Sequence, residues 1–140
     1  MQTINIERLR KLDYRANEAY KNLRTNIQLC GSDIKVIMLT STTPGEGKST
    51  VSFNLAVSLA EAGKKVIFID ADLRKSVLVG RYKINTSVKG LTHFLSGINK
   101  FELKKTICQV LIDGMDIRDC LIEETNGAFH LIPANEDLTA

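Results

Sequence analysis

Val36-Ile37-Met38-Leu39-Thr40 runs without a charge into Ser41-Thr42-Thr43-Pro44-Gly45-Glu46-Gly47. Lys48-Ser49-Thr50 then opens a helical pattern that reaches Ala62. An apolar run this short and unbroken suits a strand buried on both faces, the kind found in parallel sheets. The helical stretch carries Val51, Phe53, Leu55, Ala56, Leu59 and Ala60, and Gly63 ends it. Val66-Ile67-Phe68-Ile69-Asp70 repeats the strand signature. Residues 36–70 therefore read as a βαβ unit, whose crossover is almost always right-handed. An α/β domain with a mostly parallel sheet follows.

The loop inside that unit has a chemistry of its own. A triphosphate concentrates several negative charges on a small group. Backbone N–H groups that point inward can bind it, and the tight turning this needs is supplied by glycine. Gly45 and Gly47 meet the need, with Thr43, Pro44 and Glu46 completing the loop. A helix starting near Lys48 adds unpaired N–H groups and a partial positive charge. Lys48 can reach the β- and γ-phosphates, the Ser49 hydroxyl can ligate Mg²⁺, and Thr50 is a candidate partner for the α-phosphate. ATP with Mg²⁺ is the expected ligand. The strict pattern G-x-x-x-x-G-K-[ST] is not met, because Thr42 stands at its first glycine. Two other readings are a surface turn before a helix and a dinucleotide fingerprint with Asp70 on a ribose. For the second, position 50 should be glycine and is Thr50.

Asp70-Ala71-Asp72-Leu73-Arg74 follows the second strand. In open parallel sheets ligands sit beyond the carboxyl ends of the strands. Asp70 and Asp72 are therefore expected to face the loop, where carboxylates can hold Mg²⁺ or accept a proton from a nucleophile. The plainer reading is a solvated acidic turn.

Elsewhere the pattern is sparser. The first ten residues mix charge and polarity and are expected to begin loosely. A helix is expected over residues 13–29, with Asp13 as N-cap, Leu12, Ala16, Ala19, Tyr20, Leu23 and Ile27 on one apolar face, and Gly31 at its stop. Residues 90–97 read as a short helix between glycines and residues 101–111 as another helix. Residues 113–126 are ambiguous, and Ala128-Phe129-His130-Leu131-Ile132-Pro133 reads as a third strand.

Composition narrows the function. The 140 residues suit one domain, and 19 basic against 16 acidic side chains is too small an excess to call for nucleic acid. Cys30, Cys108 and Cys120 form no CxxC pair or metal cluster, and His93 and His130 are isolated, so free thiols in a reducing cytosol are expected. No apolar run approaches the ~20 residues that span a bilayer, and residues 1–11 lack the apolar core of a secretory signal.

The stretch 41–50 followed by Val66-Ile67-Phe68-Ile69-Asp70-Ala71-Asp72-Leu73-Arg74-Lys75 resembles the bacterial tyrosine kinases of capsule and exopolysaccharide synthesis. In that family these are the Walker A and Walker A′ motifs. Glu18-Ala19-Tyr20-Lys21-Asn22-Leu23-Arg24 is similar to its E-x-x-R-x-x-R oligomerisation motif, with Lys21 in place of the middle arginine. Lysine lacks arginine's bidentate fork. A charged helix face is the alternative for Glu18, Lys21 and Arg24. The resemblance covers about residues 18–97. It implies a three-layer P-loop NTPase fold, here partial. An N-terminal helical segment (1–30) would precede an incomplete P-loop kinase domain (31–140). It further implies ATP and Mg²⁺ as cofactors, Lys48, Asp70 and Asp72 as catalytic residues and Arg74 beside the nucleotide. Phosphoryl transfer to tyrosines, often within a ring of identical subunits, would follow. The implied partner is a membrane-embedded chain-length regulator whose cytoplasmic segment activates the kinase, so the chain is expected in the cytoplasm, held near the membrane by that partner.

Two family features are missing: the Walker B strand and the tyrosine-rich tail. Tyr14, Tyr20 and Tyr82 are scattered. A truncated kinase that binds ATP weakly and transfers phosphate poorly is expected. The other readings are a ParA- or MinD-like ATPase, which usually has a lysine early in the loop where residues 41–47 have none, and a non-catalytic nucleotide-binding remnant that joins oligomers of a full-length kinase.

Overall fold

The computed structural model describes residues 2–6, 12–42, 48–71, 90–96, 108–112, 115–116 and 128–132. Strand β1 is Gln2–Ile6, helix α1 Tyr14–Leu29, helix α2 Lys48–Glu61 and strand β2 Lys65–Ile69. A short helix α3, Leu91–Leu95, is followed by strands β3 (Cys108–Ile112), β4 (Met115–Asp116) and β5 (Ala128–Ile132).

The α2–β2 hairpin is the best determined by its sequence. Beyond Glu61 the chain makes a Schellman-type stop, with Lys64 N–H donating to Leu59 O at 3.1 Å and Gly63 N–H to Ala60 O at 3.0 Å. Gly63 carries the positive φ (+89°) that this stop requires. On α2, Phe53, Leu55, Ala56, Ser58 and Ala60 are buried. The Phe53 ring meets Phe68 of β2 edge-on, centroids 5.7 Å apart and planes at 78°. This geometry suits the aromatic quadrupoles and locks helix to strand.

The strand order is β1-β3-β5-β2, with β4 beside β3. The two long ladders, β1 on β3 and β2 on β5, are parallel, and the short pairings of β3 with β4 and with β5 are antiparallel. In β5 the consecutive residues Leu131 and Ile132 are both buried, so this strand is covered on both faces. Helix α2 packs on β2 and β5, and α1 packs on α2.

Helix α1 starts as expected: Asp13 Oδ1 accepts from Ala16 N–H at 2.8 Å. Its contact face is turned from the one read in the sequence. Of the expected face Leu12, Ala16, Tyr20 and Ile27 are half-buried, as are Asn17, Glu18, Lys21 and Arg24, while Ala19 and Leu23 are exposed, and Arg24 reaches α2.

Three expectations are corrected. Residues 34–40 form no strand, and Val36 and Met38 are 88% and 84% exposed. Among the described residues none of them joins the sheet, whose order runs β1-β3-β5-β2, and a short apolar run suits the wall of a cleft as well as a strand. Residues 2–6, the described part of the first ten, are not loose: β1 pairs in register with β3, and Ile4 is fully buried. The alternation of Ile4 and Ile6 was the available signal. The helix expected over 101–111 is replaced, in its described part, by β3, where sheet partners on both sides override a short run that suits either structure. The strand at 128–132, the helix from Lys48, the strand ending at Ile69 and the short helix after Gly90 match expectation.

Candidate nucleotide site

Helix α2 runs back along β2, so its first turn and the carboxyl end of β2 lie at the same end of the domain. Its 14 residues rise ~21 Å and the five of β2 ~17 Å, comparable lengths in an antiparallel hairpin. Lys48 is the first residue of α2 and is half-buried. Val51, one turn on, shares its face. Together with Met38, Leu39, Thr40 and Ser41 they line an open cleft of about 440 Å³. The lining mixes apolar side chains (Met38, Leu39, Val51) with the hydroxyls of Thr40 and Ser41 and the Lys48 ammonium group. Ser49 and Thr50 complete the first turn, and the Thr50 carbonyl accepts from Asn54 Nδ2 at 2.9 Å.

Asp70 follows β2 directly. It is 8% exposed, and its N–H donates to Ile132 O at 2.9 Å, extending the ladder with β5 by one residue. That bond fixes where the carboxylate leaves the sheet. The sequence-expected Thr43, Pro44, Gly45, Glu46, Gly47, Asp72 and Arg74 lie outside the described residues. Among the described residues no group of three His, Cys, Asp or Glu is placed to hold a metal. The donor set that is described, an ammonium at a helix N-terminus with a buried carboxylate at the neighbouring strand end, fits a magnesium–triphosphate.

The three residues of the oligomerisation-type motif separate. Glu18 and Lys21 form an ion pair at 3.5 Å and are both half-buried. Arg24 points inward, its Nη1 donating to Ser58 O at 2.7 Å and Ser58 Oγ at 3.3 Å. Sequence reasoning did not find Ser58, nor Met38 and Leu39 as cleft walls. Ser58 is a polar residue on a face otherwise apolar, the one signal that was available. Cys30 is a free, exposed thiol whose Sγ donates to Asn26 O at 3.3 Å. No helix among the described residues is long and apolar enough to cross a membrane.

The family model described as "AAA domain" matches residues 34–140, and the chain belongs to that family of α/β P-loop proteins. Several of the similar proteins are named as bacterial tyrosine-protein kinases. The chain is 44% identical over 117 residues to tyrosine-protein kinase CpsD of Streptococcus pneumoniae serotype 4, covering 82% of this chain and 50% of that one. It is 48% identical over 81 residues to tyrosine-protein kinase YwqD of Bacillus subtilis, covering 56% and 34%. Among solved structures, the kinase domain of Escherichia coli tyrosine kinase ETK superposes with a TM-score of 0.58 at 25% identity, covering 90% of this chain and 60% of that one. The VpsO kinase domain gives 0.54 at 28%, covering 88% and 56%. The chain spans about half the length of the curated relatives it matches.

Proposed function

We propose that this chain binds ATP with Mg²⁺ and carries the nucleotide half of a protein-tyrosine kinase that regulates capsular or exopolysaccharide synthesis. The observation that carries the reading is Lys48 at the start of α2, on the rim of a cleft, with Asp70 buried at the end of the strand packed against that helix. The names of the relatives support the choice of tyrosine as acceptor.

In this reading Lys48 and the helix N-terminus would neutralise charge that develops on the γ-phosphoryl, and the N–H groups of residues 43–47 would bind the phosphates. Ser49, Asp70 and Asp72 would hold Mg²⁺, whose chemistry is charge neutralisation and alignment of the phosphates. Arg74 lies close enough in sequence to reach the nucleotide. Asp70 or Asp72 also accepts the proton of the attacking hydroxyl. Glu18, Lys21 and Arg24 are proposed as part of a self-association element, and a cytoplasmic segment of a membrane-embedded chain-length regulator as the activating partner.

Titration calorimetry with ATP and Mg²⁺ tests the site. A hydrogen bond to a charged group contributes about 1.5–3 kcal/mol, so Lys48→Ala should weaken binding roughly ten- to hundredfold. Equal affinity for the two proteins refutes the assignment. A phosphotyrosine blot tests the reaction: ATP converted to ADP and phosphate with no phosphotyrosine would move the chain to a ParA- or MinD-like ATPase.

A further inference from the structure

The two tyrosines of α1 differ in exposure. Tyr14 is 81% exposed, whereas Tyr20 is half-buried. No hydrogen bond or ring contact with the described residues engages the Tyr14 phenol. Its place in the chain adds a second property. Asp13 is extended (φ −72°, ψ 171°) and caps the helix with its carboxylate, so Tyr14 is the first helical residue. The end turn of a helix opens at little cost, and extended backbone leads into this one. The first turn of α1 holds no acidic residue, and Arg15 follows Tyr14 directly. The partial positive charge of a helix start favours an anion there.

We propose that Tyr14 is a phosphoryl acceptor, modified by a second molecule, either another copy of this chain or a longer tyrosine kinase like its relatives. The proposal deepens the kinase reading above and rests on it for the acceptor chemistry. An acceptor oxygen must come within about 3–3.5 Å of the γ-phosphorus, roughly in line with the leaving oxygen. A ring that stands off its own surface can enter another molecule's site; Tyr20 must first be unpacked from α1's surroundings. The bond between the γ-phosphorus and the oxygen it shares with the β-phosphate breaks, and ADP leaves with the electron pair. A bond from Tyr14 Oη to that phosphorus forms, and the phenolic proton passes to a carboxylate of the donor's site. The product carries about −1.5 to −2 charges at the positive end of α1, beside Arg15. Charge of that sign supports the helix start, so modification keeps the fold. Glu18, Lys21 and Arg24 lie one turn and more beyond, and their proposed part in self-association is unaltered.

The test uses the whole chain, Tyr14→Phe and Tyr20→Phe, each incubated with ATP and Mg²⁺ alone and with added CpsD of Streptococcus pneumoniae serotype 4. Phosphate is mapped by mass spectrometry. Tyr14→Phe removes one hydroxyl from an exposed ring and should keep the wild-type circular dichroism. With CpsD present, Tyr14 should carry most of the phosphate, Tyr14→Phe should lose most of the chain's phosphotyrosine, and Tyr20→Phe should keep it. Amide exchange in the first turn of α1 should slow about two- to fivefold on modification. Phosphate on Tyr20 or Tyr82 with none on Tyr14 overturns the proposal, as does a chain that gains no phosphotyrosine from CpsD. A wild-type chain that transfers nothing without CpsD counts against the kinase reading of its own site, and the CpsD arm then decides Tyr14.

Discussion

Replacing Phe53 by alanine tests the joint on which the site depends. Its side chain is 1% exposed, and the ring packs edge-on against Phe68 at 5.7 Å. Truncating a buried phenylalanine costs about 3–5 kcal/mol, through lost transfer energy and the cavity left behind. Up to ~1.5 kcal/mol of this is the aromatic pair itself. A value near 4 kcal/mol, with a urea dependence of about 2 kcal/mol/M, lowers the unfolding midpoint by roughly 2 M. Since domains of this kind are stable by about 5–15 kcal/mol, the variant would keep about 1–11 kcal/mol and be marginal at the low end of that range. Phe53→Leu keeps most of the volume and should lose about 1.5 kcal/mol or less. Urea unfolding followed by circular dichroism reads all three proteins, and ATP affinity of the leucine variant reads the site. If Phe53→Ala shifts stability by less than about 1 kcal/mol, the ring is not a core residue. The docking of α2 on β2, and with it the placement of Lys48, would then be wrong.

Asp13→Ala removes the carboxylate that accepts from Ala16 N–H, and should cost about 1 kcal/mol, read as a lower unfolding midpoint with earlier exchange in the first turn of α1. Gly63→Ala isolates backbone strain, because nothing lies within 4 Å of the added methyl group while φ is +89°. A loss of about 1 kcal/mol in thermal unfolding is expected, and no loss would show that the turn relaxes to a negative φ.

The sequence made the α2–β2 hairpin legible because several signals agreed there: helical periodicity, a stop glycine, then a β-branched and aromatic run. Asp13 as N-cap was legible for the same reason, since a short acceptor stood before a periodic stretch. β1 and β3 were not, because their identity comes from each other: the register that pairs Gln2 with Cys108 is a contact across 106 positions, and neither run shows it alone. In α1 the apolar count pointed to Leu23, but a buried carbonyl on α2 drew in Arg24, and one charged hydrogen bond turned the helix. Of the candidate site, the places of Lys48 at a helix start and Asp70 at a strand end were readable from type and spacing. The cleft walls Met38 and Leu39 were read as strand interior, because an apolar run looks the same whether a sheet or a ligand cavity covers it.

That ambiguity has a physical consequence at β2. Val66 and Phe68 face α2 and are half-buried, while Ile67 and Ile69 on the opposite face are 53% and 52% exposed. An unbroken apolar strand is encoded for cover on both sides, and α2 supplies one. Among the described residues the hairpin is therefore covered on one face, which raises the share carried by α2 and its contacts. Phe53 and Arg24 then matter for more than packing. In the proposed reading the N-terminal partial charge of α2 would serve phosphate beside Lys48, while the C-terminal one meets the Arg24 guanidinium. Their ionic responses should differ. Arg24 is part-buried against a carbonyl and is little screened, whereas Lys48 lies on an open cleft within reach of mobile ions. Raising salt should therefore weaken nucleotide binding while leaving the α1–α2 tie, read by exchange, nearly unchanged. Parallel loss of both would mean that the Arg24 bond is held by exposed charge attraction and not by the buried geometry at Ser58.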